Sequence, residues 1–277
     1  MKKIKIICTI GPSSFDEQIV KKMDDSGVDY FRINLSHTNI DDLIPIFRNL
    51  KSWTKKPICL DTEGAQLRTS LLCKELIAKE HEIIEFVPKG NLKKKSQIGL
   101  KGGYINEVLK NGDLITIDFD GAVVQIINNE KWSFYGRVLH SGIIGHNKGL
   151  NVDRNVKLNR FTSKDERAFL ICQEIGIDHI FLSFCSHESD VLELRNRFKN
   201  KIHIISKIES RNGLINLDGI CAESDALLID RGDLSREVPL EKIPIAQNQI
   251  LERSKKFNVP VYVATNLMEN MILNSKP

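Results

Sequence analysis

The apolar residues of this 277-residue chain recur in short runs that are separated by amphipathic stretches. The first run, IKIICTI at Ile4–Ile10, is continuously apolar and rich in β-branched residues, as expected for a strand buried on both faces. Such runs alternate seven times with stretches of helical spacing, which predicts a parallel α/β fold. The other six predicted strands lie in VDYFRINLS, PICLDTEG, HIFLSF, HIISKIES, ALLIDRGD and PVYVATN.

Polar residues predict where several of the helices begin. Ser14 and Glu17 have the spacing of a capping box, and so do Ser163 and Glu166. Pro45 predicts either the first turn of the second helix or a kink in it. We therefore expect one helix to follow Ser14 and another to follow Ser163.

The middle of the chain lacks a helical stripe and instead has short apolar runs separated by glycine and asparagine, which predict antiparallel strands. We therefore expect a TIM-type (β/α) barrel, incomplete with seven strands, that carries a small antiparallel β domain inserted after strand 3. The expected boundaries are 1–69 for the first part of the barrel, 70–158 for the inserted lid domain and 159–277 for the second part. The rival is a doubly wound open sheet, which the absence of GxGxxG after a strand disfavours.

Composition narrows the function class. The chain is 41% hydrophobic and 27% charged with a net charge of +4, which fits a globular enzyme and gives no reason to expect a nucleic-acid partner. No apolar stretch approaches the length that spans a membrane. The six cysteines form no CxxC pair and are expected to be reduced thiols, so we expect a cytoplasmic protein.

Polar side chains collect near the carboxyl ends of the predicted strands. Because side chains alternate along a strand, Arg32, Asn34 and Ser36 share one face. Lys207 and Glu209 share a face for the same reason. Buried charges are costly unless they are paired or bind a metal, and barrel active sites lie at this edge. The same edge also holds Asp61, Thr62, Asp233 and Thr265.

These residue types suggest phosphoryl or enolate chemistry. Glu209 and Asp233 offer the hard oxygen ligands that suit Mg²⁺ or Mn²⁺. Lys207 and Arg32 can neutralise phosphate oxygens, and phosphoryl transfer depends mainly on positioning and positive charge. Gly232 allows a ligand to approach backbone N–H groups closely.

At these residues the sequence resembles the pyruvate kinase family. The resemblance implies a barrel with a small β domain inserted after strand 3. It also implies transfer of phosphate between phosphoenolpyruvate and ADP, giving pyruvate and ATP, with Mg²⁺ and usually K⁺. The matching segments occur in family order and are KIICTIGPSS, FRINLSH, CLDTEGAQLRT, HNKGLNV, SKDERAFLICQEIGIDHIFLSF, HIISKIES, LLIDRGDL, VPLEKIPIAQNQI and PVYVATNLMENMILNSKP.

The resemblance also implies a role for individual residues. Glu209 and Asp233 match the divalent-metal ligands, and Lys207 matches the lysine that stabilises the transferring phosphoryl group and the enolate. Thr265 matches the threonine near the proton-transfer site, and Arg32 matches the phosphate-binding arginine. The monovalent-cation site would comprise Asn34, Ser36, Asp61 and Thr62. The substrate carboxylate would be held by the backbone of Arg231 and Gly232, and nucleotide contacts would come from Arg68, Lys148 and His37.

Two departures from the family pattern leave alternatives open. Asp230 stands where the family has a small neutral residue, so it would repel an anionic substrate or recruit another cation if it faces the site. The family continues beyond Pro277 through an eighth strand and a regulatory domain, which implies an open barrel edge. Either the chain is a fragment or a partner subunit covers this edge, and we expect a homo-oligomer. The alternative functions are a metal-dependent lyase, aldolase or decarboxylase acting on a 2-oxo acid, and a non-catalytic relative that binds a ligand or partner.

Overall fold

The computed structural model describes residues 4–103, 105–118, 121–130, 132–154, 156 and 158–265. The chain divides into two compact units. The first unit combines Met1–Gly64 with Phe161–Pro277, and the second is Ala65–Arg160. The part of the final matching segment that begins at Asn266 lies outside the described residues.

The strands and helices are numbered here in chain order. The strands are β1 (Ile7–Thr9), β2 (Tyr30–Asn34), β3 (Ile58–Asp61), β4 (Leu67–Ser70), β5 (Glu75–Ala78), β6 (Ile83–Pro88), β7 (Gln97–Lys101), β8 (Leu114–Ile117), β9 (Val123–Glu130), β10 (Ser133–His140), β11 (Gly142–Gly145), β12 (Gly149–Val152), β13 (His179–Leu182), β14 (His203–Ile208), β15 (Ala226–Asp230) and β16 (Val261–Ala264). The helices are α1 (Glu17–Asp25), α2 (Leu43–Trp53), α3 (Ile105–Val108), α4 (Ser163–Ile175), α5 (Glu188–Arg197), α6 (Arg211–Ile215), α7 (Leu217–Glu223), α8 (Arg231–Leu234) and α9 (Ile243–Phe257). Among these described helices, none is long and apolar enough to cross a lipid bilayer.

The first unit is built on a seven-stranded sheet in which every strand pairs in parallel with its neighbour. The strand order is β1-β2-β3-β13-β14-β15-β16, which is the order of the strands along the chain. One or more helices lie between each strand of this sheet and the next one along the chain, as crossover connections between parallel strands require. The predicted α/β class is confirmed, and this sequential order is consistent with a TIM-type barrel.

The sheet is curled, as a contact between two aromatic rings on distant strands shows. The rings of Tyr30 on β2 and Tyr262 on β16 lie edge to face with centroids 6.2 Å apart. These two strands are five positions apart in the sheet, so a flat sheet would separate them by about 24 Å. The inward faces of the two strands therefore meet across the curled sheet.

The two faces of this sheet have different roles. On β2, Phe31 and Ile33 belong to the apolar core on the helix-covered side, as does Leu35 directly after the strand. Arg32 and Asn34 face the other way, as the alternation predicted. A smaller apolar cluster fills the inward face and consists of Cys59, Phe181, Ile205, Ala226 and Leu228. Two residues beyond these apolar positions on β3, β13, β14 and β15 stand Asp61, Ser183, Lys207 and Asp230. The inward face thus changes from apolar to polar toward the carboxyl ends of the strands.

The first strand is shorter and less buried than the sequence predicts. It covers Ile7–Thr9 instead of Ile4–Ile10, and Ile4 is 84% exposed. The prediction of burial on both faces is therefore wrong for this strand. Within the described residues β1 pairs only with β2, so it has a neighbour on one side alone.

The helix starts differ by one to two residues from the capping boxes predicted. Asp16 caps α1, because its Oδ1 accepts hydrogen bonds from the backbone N–H groups of Gln18 and Ile19. At α4 the capping box is formed by Thr162 and Asp165. Both predicted boxes, at Ser14 and at Ser163, are therefore wrong, although the helices themselves are present. Pro45 lies in the first turn of α2, where the missing N–H costs no hydrogen bond.

The second unit contains a closed barrel of seven strands in the order β10-β6-β7-β4-β12-β8-β9, and a separate pair of β5 with β11. Its core includes Phe86, Ile98 and Phe134, each at most 1% exposed. All pairs are antiparallel except β6 with β7, which is parallel and so differs from the all-antiparallel pattern predicted. The connection between these two strands, residues 89–96, is longer than a hairpin turn and lets the chain cross over before β7 begins.

The cysteines lie as the sequence predicts for reduced thiols. All six are free, and four are buried. Burial raises the pKa of the thiols of Cys59, Cys172 and Cys185 above the ordinary value. These thiols therefore behave as apolar core residues.

Candidate functional site

Lys207, at the carboxyl end of β14, lies among three carboxylates from three strands. Its Nζ is 2.7 Å from Glu209 Oε1 and 3.5 Å from both Asp61 Oδ1 and Asp230 Oδ2. The residue is 5% exposed. Burial lowers the pKa of Lys207, but the attraction of Asp61, Glu209 and Asp230 outweighs burial and raises this pKa above its usual value. The ammonium therefore stays charged although it is buried.

Glu209 is fixed from two sides. Its Oε1 pairs with Lys207, and its Oε2 accepts a hydrogen bond of 2.6 Å from the backbone N–H of Phe184. Phe184 has a φ of +53°, an uncommon value for a residue with a large side chain, and this conformation accompanies the bond to Glu209. Burial raises the pKa of Glu209, against the opposing effect of Lys207, and the nearby carboxylates of Asp233 and Asp230 add to the rise.

Asp230 and Thr265 connect the ends of β15 and β16. The Thr265 hydroxyl donates a hydrogen bond of 2.7 Å to Asp230 Oδ1, and Arg231 Nε donates one of 3.1 Å to the Thr265 carbonyl. Burial raises the pKa of Asp230, but Lys207 and the Thr265 bond outweigh it, so this pKa lies below its usual value. A Cβ at Gly232 would lie 2.7 Å from Thr265 Cγ2, so only glycine allows this close approach.

Three carboxylates in this region could hold a metal ion. One oxygen each from Glu209, Asp230 and Asp233 lies within 4.8 Å of the others. Carboxylate oxygens are the ligands that Mg²⁺ and Mn²⁺ prefer, so the donor set fits such an ion. Glu209 and Asp233 are the pair predicted from the sequence, and Asp230 is the carboxylate that the family pattern does not contain. Arg236 Nη1 lies 3.4 Å from Asp233 Oδ1 on the first turn after β15.

Asp61 connects Lys207 with Arg32. Its Oδ2 lies 3.5 Å from Arg32 Nη1 on the neighbouring strand β2. Ser183 joins the same group, because its Oγ lies 3.1 Å from Asp61 Oδ1 and accepts a hydrogen bond of 3.3 Å from Lys207 Nζ. Our sequence analysis did not single out Ser183. The signal was available, since Ser183 ends the run HIFLS and alternation places it on the face of Phe181.

The residues matched to a monovalent-cation site lie at two neighbouring strand ends. Asn34 and Asp61 are paired across β2 and β3. Asn34 Oδ1 accepts a hydrogen bond of 3.0 Å from the Ser36 N–H. The Thr62 hydroxyl donates to the Phe181 carbonyl at 3.2 Å and accepts from the Ser183 N–H at 2.9 Å. These polar groups therefore shape the loops after their strands.

The three candidates for nucleotide contacts are spread over both units. His37 is exposed in the turn after β2, where its backbone N–H donates to the Asn34 carbonyl at 3.1 Å. Arg68 and Lys148 belong to the second unit. Arg68 Nη1 donates to the Asn147 carbonyl at 3.1 Å, and Lys148 Nζ pairs with Asp118 Oδ2 at 2.6 Å.

The fold and the site together define a parallel α/β protein with a basic and acidic cluster at the carboxyl ends of its strands. The chain belongs to the pyruvate kinase family, since the family model for the pyruvate kinase barrel domain matches residues 1–277. The resemblance predicted from the motifs is thereby confirmed.

Curated relatives support the assignment along the whole chain. The pyruvate kinase of Thermotoga maritima is 31% identical over 100% of this chain and 62% of its own length. That of Bacillus licheniformis is 32% identical over 100% of this chain and 50% of its own length. That of Encephalitozoon cuniculi is 33% identical over 99% of this chain and 64% of its own length. The chain thus spans less than two thirds of each of these relatives.

Proposed function

We propose that this chain carries the phosphotransferase site of a pyruvate kinase-like enzyme, which transfers phosphate between phosphoenolpyruvate and ADP to give pyruvate and ATP. The observation that carries the proposal is the buried ammonium of Lys207, held 2.7 Å from Glu209 and within 3.5 Å of Asp61 and Asp230. A fixed positive charge at a buried strand end suits a group that gains negative charge during phosphoryl transfer. Family membership and relatives named pyruvate kinase favour this chemistry over others that use similar groups.

In this proposal Lys207 lies against the transferring phosphoryl group and the enolate oxygen, and Arg32 binds the phosphate. Both side chains pair with Asp61, whose carboxylate offsets the repulsion between the two positive charges. The backbone N–H groups of Arg231 and Gly232 receive the substrate carboxylate. Gly232 suits this role because a side chain there would collide with Thr265.

Glu209 and Asp233 would hold Mg²⁺ or Mn²⁺ in this enzyme. A bound divalent ion would neutralise the anionic oxygens of the substrate. Asn34, Ser36, Asp61 and Thr62 are proposed to supply oxygen ligands for K⁺. Their present hydrogen bonds leave lone pairs on the oxygen atoms, since each such oxygen can accept twice.

Thr265 is proposed as the residue nearest the proton transfer that converts the enolate into pyruvate. Its hydroxyl donates a hydrogen bond to Asp230 Oδ1, so the lone pairs of Oγ1 face away from this carboxylate. Arg68, Lys148 and His37 are proposed to contact the nucleotide, with the second unit acting as an inserted lid domain on a TIM-type barrel. By the same family argument we propose a cytoplasmic homo-oligomer.

A coupled assay with phosphoenolpyruvate, nucleoside diphosphates and Mg²⁺ tests the function. We expect turnover in the wild-type protein and its loss in Lys207→Ala. Lys256→Ala is the matched control, since Lys256 is exposed on α9 and pairs only with the surface residue Asp218 in the described part of the chain. No turnover with any diphosphate, or equal turnover in Lys207→Ala, would contradict the proposal.

A second candidate is a metal-dependent lyase, aldolase or decarboxylase acting on a 2-oxo acid. It is favoured by one observation, which is that Arg68 and Lys148 are engaged with Asn147 and Asp118 inside their own unit. The residues suited to an enolate lie instead in the first unit. Exchange of the methyl protons of pyruvate without nucleotide, in a protein that shows no phosphoryl transfer, would favour this candidate.

A further inference from the structure

We propose that Asp230 is a third protein ligand of the divalent cation and that it strengthens binding of this cation in the absence of an anionic substrate. The inference rests on the metal site of the proposed function. It concerns a residue at which this sequence departs from the family pattern.

The position of Asp230 supports a direct role. Asp230 is the last residue of β15 and is 8% exposed. Its side chain follows Leu228 on the inward face, so it cannot turn toward water without leaving the strand. One of its oxygens lies within 4.8 Å of ligand atoms of Glu209 and Asp233.

The hydrogen bonds of Asp230 are compatible with ligation. Oδ1 accepts a bond from the Thr265 hydroxyl at 2.7 Å, and Oδ2 faces Lys207 Nζ at 3.5 Å. The backbone N–H of Asp233 also interacts with this carboxylate. A carboxylate has about four lone-pair sites, so these three contacts leave acceptor capacity for a cation. Thr265 also fixes the carboxylate plane, which lowers the entropy that ligation would cost.

The charges around the site explain what Asp230 adds. Four carboxylates and three basic groups lie together at this site. The carboxylates are those of Asp61, Glu209, Asp230 and Asp233, and they form ion pairs with Arg32, Lys207 and Arg236. Asp230 therefore adds a carboxylate to a group that already contains Glu209 and Asp233 at the candidate metal position. Carboxylates this close to one another repel when ionised, and a cation bound between them relieves the repulsion.

A third carboxylate also changes how much of the coordination the substrate supplies. Magnesium sites with one or two carboxylates use waters and substrate phosphates for the rest of the coordination. With Asp230 as a further ligand, less of the coordination is left for the substrate to supply. The loaded site is also less positive by one charge, so its attraction for an anionic substrate is weaker.

Binding of Mn²⁺ to the protein without substrate tests the inference. Free Mn²⁺ is measured by electron paramagnetic resonance for the wild type, for Asp230→Asn and for Asp218→Asn. Asparagine keeps the shape of Asp230 and an acceptor for Thr265, and Asp218 is a half-exposed surface carboxylate that serves as the matched control. We expect the dissociation constant to rise at least about tenfold in Asp230→Asn, since even outer partners of metal ligands change affinity by that factor. Asp218→Asn should bind as the wild type does.

Several outcomes separate this inference from the proposed function. Equal Mn²⁺ affinity in the wild type and in folded Asp230→Asn overturns the inference, as does a wild type that binds no Mn²⁺ at millimolar concentration. Phosphoryl transfer is measured in the same preparation and tests the proposed function independently. Circular dichroism establishes folding, and Asp230→Ser replaces Asp230→Asn if the latter does not fold. A gain in the apparent affinity for phosphoenolpyruvate in the folded variant supports the inference further.

Discussion

The ammonium of Lys207 lies 2.7 Å from Oε1 of Glu209, and these side chains are only 7% and 0% exposed. Lys207 is the penultimate residue of β14 and Glu209 follows its last residue, so alternation along the chain brings the two side chains to the same side. Their charges therefore compensate each other locally, and neither can reach bulk water. This pair is the centre around which the other charged residues of the site are arranged.

Replacement of Lys207 by methionine should destabilise the protein. The variant leaves Glu209, Asp61 and Asp230 close together without the cation that separates them, and breaking a buried pair in this way costs about 3–5 kcal/mol. Unfolding in urea gives the free energy of unfolding directly, with the exposed Lys256→Met as the control. A variant as stable as the wild type would show that the carboxylates relax or become protonated at little cost.

Substitution of Gly232 by alanine should impair the site more than the fold. The new Cβ would lie 2.7 Å from Thr265 Cγ2, so Thr265 has to move and its bond to Asp230 is strained or lost. Overpacking of this kind costs about 1–3 kcal/mol, while turnover should fall more steeply. Gly11→Ala is the control, since a Cβ at Gly11 meets no atom within 4 Å. Unchanged kinetics in a folded Gly232→Ala would contradict the prediction.

His203 should make stability depend on pH in the acidic range. Burial at the start of β14 lowers the pKa of His203 below the ordinary 6.5, and His179 and Lys5 add to this effect against the opposing influence of Asp225 and Asp178. The unfolded chain then takes up a proton at a higher pH than the folded chain. This contribution to stability is complete above pH 6.5 and is lost as the pH falls through the folded-state pKa.

Urea unfolding of the wild type and of His203→Gln at several pH values measures this contribution. The wild type should lose stability as the pH falls below 6.5, and the variant should lose less over the same range. If both proteins have the same slope, the pH dependence comes from other groups.

Arg154 should stabilise the second unit. Its Nε and Nη2 donate to the two oxygens of Asp113 at 2.8 Å, and Nη2 also donates to the Val108 carbonyl at 2.7 Å. Because Asp113 is 7% exposed, Arg154→Met leaves a nearly buried carboxylate without this partner and should cost about 1–3 kcal/mol. Limited proteolysis should cleave the variant faster within 65–160, and Arg137→Met on the exposed face of β10 is the control. Equal rates for the two variants would exclude this role.

Much of the fold follows from the periodicity of the sequence. The seven strands of the first unit were predictable because buried parallel strands are continuously apolar. The extent of β1 was not, since its sequence resembles that of the central strands although it has one neighbour among the described residues. The helix starts at Asp16 and Thr162 were missed because several nearby residues can cap a helix, and only the backbone geometry selects one.

The residues of the site could be predicted from the sequence better than the contacts among them could. Alternation along β14 placed Lys207 and Glu209 on one face, which the structure reproduces. The sequence marked Asp230 as an additional carboxylate but could not tell whether it would face the site, because that depends on which face of β15 turns inward. The left-handed backbone of Phe184 carried no sequence signal, since glycine or asparagine is the usual residue there.

The charged group of the first unit is assembled from side chains on consecutive strands, and each depends on strict alternation. Inserting or deleting one residue within β3, β14 or β15 would exchange its two faces, bringing Leu60, Ile208 or Ile229 to the inward side in place of a charge. A length change in the helices or loops between strands leaves this alternation intact. In the course of evolution, or in a library of insertions, we therefore expect length variation to be confined to the connections, while each of these strands keeps its number of residues.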